Sequence, residues 1–315
     1  MTALSHLRNR MTPCVELRFP CFEKHYEISS SKTKAYAFEP IDGRDWYNEF
    51  RQHIYDAIEA HRFLPIYRMF DGEYLFALGR SCKELSPFSR LSPSRLAQSL
   101  RQFIRVQHRS GSIEYGYESY GPAELNIAKL IFVEQLKRVA EKGILALALH
   151  ETPLSRPYVP AILDWFDANQ IPVHRNNYYH FYGLYALMHG PDRYSLLRDR
   201  RVLVATGLTP EKKQGIAGGL RRVGAADVQY LPVSTSKSML DCLELSAVVP
   251  PVDIVLVGAG VGAVNVLSQL EPLQAVCLDV GFALSTLVNP DLRWNRPFCV
   301  PDDEFDVKRV RWLKG

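Results

Sequence analysis

No stretch of the 315 residues approaches the roughly 18 consecutive apolar residues of a membrane-spanning helix. Any membrane association is therefore expected to be peripheral. No two of the six cysteines form a C-x-x-C pair, which argues against a zinc knuckle and a dithiol redox motif. Cys14, Cys21, Cys82, Cys242, Cys277 and Cys299 stand among apolar neighbours and read as reduced thiols. The first residues, MTALSHLRNRMTPCVELRF, lack the apolar core of a signal peptide. An excess of one charge is missing too. Lys and Arg number 38 against 34 Asp and Glu, and a net charge of +4 is too weak to argue for a nucleic-acid partner. There is no P-loop, no G-x-S-x-G elbow, no internal repeat and no low-complexity linker. These absences together read as a cytoplasmic protein, free or at the inner face of a membrane, with homo-oligomerisation left open.

What is present is alternation. After weak strand signals in CVELRFP and KTKAYAFEP, a helix is expected from about Asp45 to Ala60, with Trp46, Phe50, Ile54 and Ile58 on one face. A short apolar run ends at DGEYLFALG, which reads as strand, tight turn at Gly72, and helix start. Pro122 opens a helix that Gly143 stops. Strands then read at 144–149, 171–174, 201–206, 227–233, 253–258 and 275–280. Helices read between them, one of them across SKSMLDCLELSAV. Apolar strands alternating with helices predict a mostly parallel, doubly wound, Rossmann-like α/β sheet. Residues 1–44 read as an arm or short strands, and 45–315 as a single α/β domain.

Ligands of such sheets bind beyond the carboxyl ends of the strands. VDIVLVGAGVGAVNVL, from Val252 to Leu267, has G-x-G-x-x-A spacing at Gly258, Gly260 and Ala263, with Asp279 about 20 residues on. It allows a phosphate at a helix N-terminus, or a tight turn that needs small residues for packing alone. Its late position in the chain counts against a nicotinamide site. YRMFDGEYLFALG sets Asp71 and Glu73 one residue apart. In an extended segment they point the same way and can meet one hard divalent cation, Mn²⁺ or Mg²⁺. An exposed acidic turn is the plainer alternative.

R-M-F-D-G-E-Y at 68–74 resembles the R-x-G-D-G-E signature of the GT-D-type glycosyltransferases, the DUF1792-like family. VDIVLVGAGVGAVNVLSQLEPLQAVCLDVGF resembles that family's strand, small-residue turn, helix and D-I-G-H segment. The resemblance covers mainly residues 60–80 and 250–290. It implies a GT-D-like fold and a metal-dependent transferase. The transferase would use a nucleotide-sugar donor, often UDP-linked, in bacterial surface glycan or glycoprotein assembly. Asp71 and Glu73 would hold the metal. Phe70 stands where the family has Gly, and Phe282 where it has His.

The expected site follows. Arg68, Gly72, Thr206, Gly258, Gly260 and Gly262 face the nucleotide sugar, with the small residues leaving room for donor or acceptor. Glu151, Asp279 and His150 are the candidates for the general base that an inverting transfer needs. Tyr115, Tyr117, Tyr120, Asn177 and His180 line the side of a glycan or lipid-linked glycan acceptor. Seven cations between Arg80 and Arg109 offer a basic surface or a solvated helix face. The alternatives are an NAD(P)- or S-adenosylmethionine-dependent enzyme using Gly258 to Asp279, and a non-catalytic assembly protein that keeps a nucleotide fold.

Overall fold

A computed structural model of the chain describes residues 6–18, 32–79, 119–151, 158–289 and 297–299. Seven strands form one sheet: β3 (Leu64–Met69), β4 (Ile144–Leu147), β5 (Tyr178–His180), β6 (Arg201–Thr206), β7 (Asp227–Pro232), β8 (Ile254–Gly258) and β9 (Val276–Asp279). Their order is β5-β4-β3-β9-β8-β6-β7, and every pairing is parallel. β3, β4 and β9 are buried at every residue. That explains their unbroken apolar sequences, since a parallel sheet is covered on both faces. The fold is thus the Rossmann-like α/β class expected from the sequence.

The order fixes where a ligand can enter. The chain runs outward from β3 through β4 to β5, crosses to β6 and β7, and returns through β8. β9 comes last and slots between β8 and β3, with Leu64 opposite Val276 and Val257 opposite Asp279. The direction of winding reverses beside β3, so the crevice between the carboxyl ends of β3 and β9 is the topological switch point.

Helix α1 is His6–Arg10 and α2 is Gly43–Glu59. Asp42 caps α2 by accepting from the Arg44 and Asp45 N–H groups. Its buried Trp46, Phe50, Ile54 and Ile58 recur every fourth residue, and the helix packs on β5, β9 and the helix that follows β5. Burial contributes roughly 1.5–3 kcal/mol for each such side chain. α3 spans Asp71–Leu78 and α4 spans Pro122–Lys142. α4 has Pro122 at its first position and ends at Gly143, and it lies against β3 and β4. The remaining helices are α5 (Val159–Ala168), α6 (Tyr182–His189), α7 (Asp192–Leu197), α8 (Pro210–Arg222) and α9 (Ala263–Gln269). Among the described residues no helix is long and apolar enough to cross a membrane.

The amino-terminal segment is a hairpin, β1 (Thr12–Arg18) with β2 (Lys32–Ala37). Val15, Leu17, Ala35 and Ala37 belong to the same core as the sheet. β2 also meets the chain beyond β4, where Tyr36 N–H donates to the Leu149 carbonyl and Glu151 N–H to the Lys34 carbonyl, both at 2.9 Å. The hairpin thus crosses the carboxyl end of β4.

Three local expectations are corrected. The strand expected at 171–174 is absent. Ile171 and Val173 are buried without pairing, and the strand forms at 178–180, where Tyr178 registers with Leu145. SKSMLDCLELSAV is not a helix beyond a 3-10 turn at Ser238–Leu240. Side chains hold it instead. Asp241 accepts from Ser234 N–H and Oγ, and Asn265 of α9 donates to the Ser238 and Asp241 carbonyls. Finally, no turn separates β3 from α3. The helix starts at Asp71 and takes in Gly72, whose φ is not positive. Positions 71 and 73 are therefore helical, and residues two apart on a helix do not share a face.

Candidate functional site at the β3–β9 crevice

Arg68 is the penultimate residue of β3 and is 8% exposed. Its N–H donates to Asp279 Oδ2 at 3.2 Å, and Gly281 N–H donates to Asp279 Oδ1 at 3.1 Å. One carboxylate thus joins the end of β9 to β3 and to the turn that follows β9. Gly281 has φ +51°, and a Cβ there would stand 2.5 Å from Arg68 Nη2. Only glycine satisfies both conditions. The Arg68 guanidinium faces Glu73, with Nη2 3.9 Å from Oε1. Glu73 is itself buried, and its Oε2 accepts Phe70 N–H at 3.0 Å, reaching back to the start of α3 as half of a capping box does.

The electrostatics follow from burial. Desolvation opposes the Arg68 cation, but Tyr185, Glu73 and Asp279 around it outweigh that and hold it protonated. Asp279 is wholly buried. Desolvation pushes its carboxyl up to about 7, reinforced by Glu73 and opposed by Arg68 and the two N–H donors. Arg68 Nε has no hydrogen-bond partner. A buried donor of a charged group left unmatched is uncommon in folded proteins and calls for a partner, of which a ligand is one kind.

An aromatic wall borders this cluster. Phe70 stacks on Phe181, with ring centroids 4.9 Å apart, and Phe181 meets the edge of Tyr185 at 5.4 Å. His150 and His180 lie against Phe181 on the side of β4 and β5. Tyr182 N–H donates to His180 Nδ1 at 3.3 Å, so a neutral His180 carries its proton on Nε2 and donates it to His150 Nδ1 at 3.1 Å. Desolvation depresses both, His150 to about 4, while His180 is lowered further by His150.

The structure brings Arg68, Glu73 and Asp279 together, with Gly72 beside them in α3. His150 and His180 are buried behind the wall. Glu151 is partly exposed, one residue past His150, with its backbone paired to β2. Thr206 ends β6, buried, with its Oγ1 accepting Leu208 N–H. Asn177 stands at the opposite, amino-terminal edge. Its amide donates to the Ala140 and Pro172 carbonyls and accepts His174 N–H, all at 2.8 Å, which commits it to holding a turn. Tyr115, Tyr117 and the Arg80–Arg109 stretch lie outside the described residues, as does the side chain of Asp71.

The glycine-rich turn does not leave room as expected. A Cβ on Gly258 would stand 2.9 Å from Leu284, and one on Gly262 would meet Ser238 and, at 2.5 Å, Met239 N. Gly260 has φ +54°, which favours glycine for the backbone alone. Ser238 Oγ donates to the Ala259 carbonyl, Met239 N–H donates to the Tyr120 hydroxyl, and Lys237 pairs with Glu124. The chain's own 236–240 segment therefore closes over Gly262.

Mn²⁺ or Mg²⁺ needs several oxygen donors. Glu73 is the described member of the expected pair. Its Oε2 is taken by Phe70 N–H, and the Arg68 cation faces Oε1. Among the described residues no group of three or more His, Cys, Asp or Glu could hold a metal ion. Of the expected pair only Glu73 has a described side chain, and its contacts are with Phe70 and Arg68.

Sequence reasoning missed Gly281, Tyr185 and Phe181. Gly281 was legible in DVGF, two residues past Asp279, and the rings in the aromatic density of FYGLY.

No family model and no curated protein matches the chain. A solved structure described as "Selenomethionine substituted structure of domain of unknown function 1792 (DUF1792)" is similar over 73% of this chain and 82% of that one, at 11% identity and a TM-score of 0.36.

Proposed function

We propose that the chain is a glycosyltransferase that binds a nucleotide-sugar donor, UDP-linked in the first instance, at the β3–β9 crevice. It would pass the sugar to a glycan or lipid-linked glycan. The observation that carries this reading is the buried Arg68 with an unmatched Nε at the switch point of a doubly wound sheet. A guanidinium in low dielectric is a strong partner for the charge that gathers on a diphosphate as the glycosidic bond breaks. The resemblance of residues 68–74 and 252–282 to the GT-D-type signatures supports the same donor class.

Each group then has a role. Arg68 binds and neutralises the diphosphate. Glu73 orients the guanidinium and starts α3. Asp279, with both oxygens committed to backbone N–H groups, is a positioning residue. Glu151 is the base candidate that water and an acceptor hydroxyl can reach. No step is derived through a metal ion.

The deciding experiment is calorimetry on the full chain with UDP, UDP-sugars, NADH and S-adenosylmethionine, each with and without Mn²⁺, followed by an assay of UDP release. Binding of a nucleotide sugar with turnover supports the proposal. Binding of NADH or S-adenosylmethionine alone overturns it. Binding without release at high protein concentration reassigns the chain to a non-catalytic role.

A further inference from the structure

Phe282 is 62% exposed, the single aromatic among the large apolar side chains that the described residues leave in water. It lies three residues past Asp279, in the 3-10 segment Gly281–Val288 that follows β9. Its backbone is pinned on both sides. Gly281 N–H donates to Asp279 Oδ1, and Ser285 Oγ donates to the Phe282 carbonyl at 2.8 Å. The ring leans on Tyr185, with centroids 6.1 Å apart and planes 54° apart. Tyr185 is 5% exposed and continues the buried wall toward Phe181. A fixed backbone thus holds a largely exposed aromatic ring one residue past Gly281, where an added Cβ would stand 2.5 Å from Arg68 Nη2. A rigid aromatic face beside a buried cation suits a ligand that carries an apolar ring face and an anionic group together.

We propose that Phe282 is the platform for the sugar of the donor, taking the apolar C–H face of a hexose whose own phosphate meets Arg68. This deepens the glycosyltransferase reading and rests on it. Spacing selects the sugar over the base. A Cβ added at Gly281 would stand 2.5 Å from Arg68 Nη2, and Phe282 is the next residue in the chain. A ring bonded directly to the phosphate reaches that face. The nucleobase is separated from the same phosphate by a second phosphate and a ribose.

The test compares wild type, Phe282→Ala and Phe282→Trp by calorimetry. The probes are UDP-glucose, UDP-N-acetylglucosamine and GDP-mannose, with UDP and GDP as sugar-free controls. For the nucleotide sugar that wild type binds, Phe282→Ala weakens binding about ten-fold, Phe282→Trp restores it, and the sugar-free diphosphate stays within about two-fold. Urea unfolding of Phe282→Ala at the wild-type midpoint shows the fold intact. Equal losses for the sugar and sugar-free ligands place the base or diphosphate on Phe282 and overturn the proposal, as does unchanged binding of both. A wild type that binds no member of the panel overturns the functional reading itself, and the platform with it.

Discussion

Asp279 accepts the backbone N–H of Arg68, a residue 211 positions earlier, and its second oxygen accepts Gly281. One buried carboxylate therefore sets the stagger of the two central strands and the turn that carries Phe282. Asp279→Asn keeps the shape but can accept through one atom only, and its amide nitrogen then faces an N–H. A buried donor left unmatched costs about 1–3 kcal/mol. Urea unfolding followed by circular dichroism should show a midpoint lowered accordingly. A midpoint equal to wild type would mean that the two bonds do not hold the strand ends.

The buried histidines give the fold an acid limit. Desolvation holds His150 at about 4 and His189, beside Arg193, at about 3, and His180 well below 6.5. Each binds a proton in the unfolded chain below about pH 6.5 that the native state refuses, so stability is present above that pH and drains away toward pH 4. Asp279 acts oppositely. Its native carboxyl, raised to about 7, holds a proton that the unfolded one releases, so it stabilises as pH falls. Three histidines outweigh one aspartate, so between pH 6 and 4.5 the net effect is a loss of stability toward acid. Unfolding free energies measured across that window should fall toward acid, and His180→Gln should flatten the slope. A flat wild-type profile would show that these rings titrate normally.

The strands of this fold were legible because parallel strands buried on both faces leave unbroken apolar runs, as in RVLVAT and DIVLVG. α4 was legible from Pro122 and Gly143 at its ends. What failed depended on distant partners. IPVH is as apolar as a strand, yet the pairing fell to Tyr178, because Asn177 ties the preceding turn to α4 through the Ala140 carbonyl. SKSMLDCLELSAV has helical spacing, yet Asn265, 27 residues past Ser238, takes up its carbonyls. The site was half legible. Arg68, Glu73 and Asp279 were each singled out, but the helical start at Asp71, which breaks the shared face assumed for Asp71 and Glu73, has no N-cap Ser, Thr, Asp or Asn to announce it.

Gly262 tests whether the fingerprint turn is a cofactor cleft or packing. Gly262→Ala drives a methyl into Ser238 and the Met239 backbone, and overpacking of this kind costs about 1–3 kcal/mol. Thermal unfolding should drop by several degrees, and NADH should stabilise neither protein. A well-folded Gly262→Ala variant with weakened NADH binding would return the turn to the cofactor role.

Arg68→Lys separates the arginine from a cation as the diphosphate partner. Lysine keeps a positive charge toward Glu73 but loses Nε and the planar fork. Circular dichroism should be unchanged, because the buried carboxylates keep a counter-charge. Affinity for a UDP-sugar should fall roughly ten- to hundred-fold, as expected for a lost hydrogen bond to a charged group. Wild-type binding should survive EDTA, since Glu73 is already committed to Phe70 and Arg68. If EDTA instead abolishes binding and Mn²⁺ restores it while Arg68→Lys binds normally, the diphosphate charge belongs to a cation. Glu73 would then have to turn toward it, releasing the cap of α3, and added Mn²⁺ would shift the unfolding midpoint of wild type but not of Glu73→Gln.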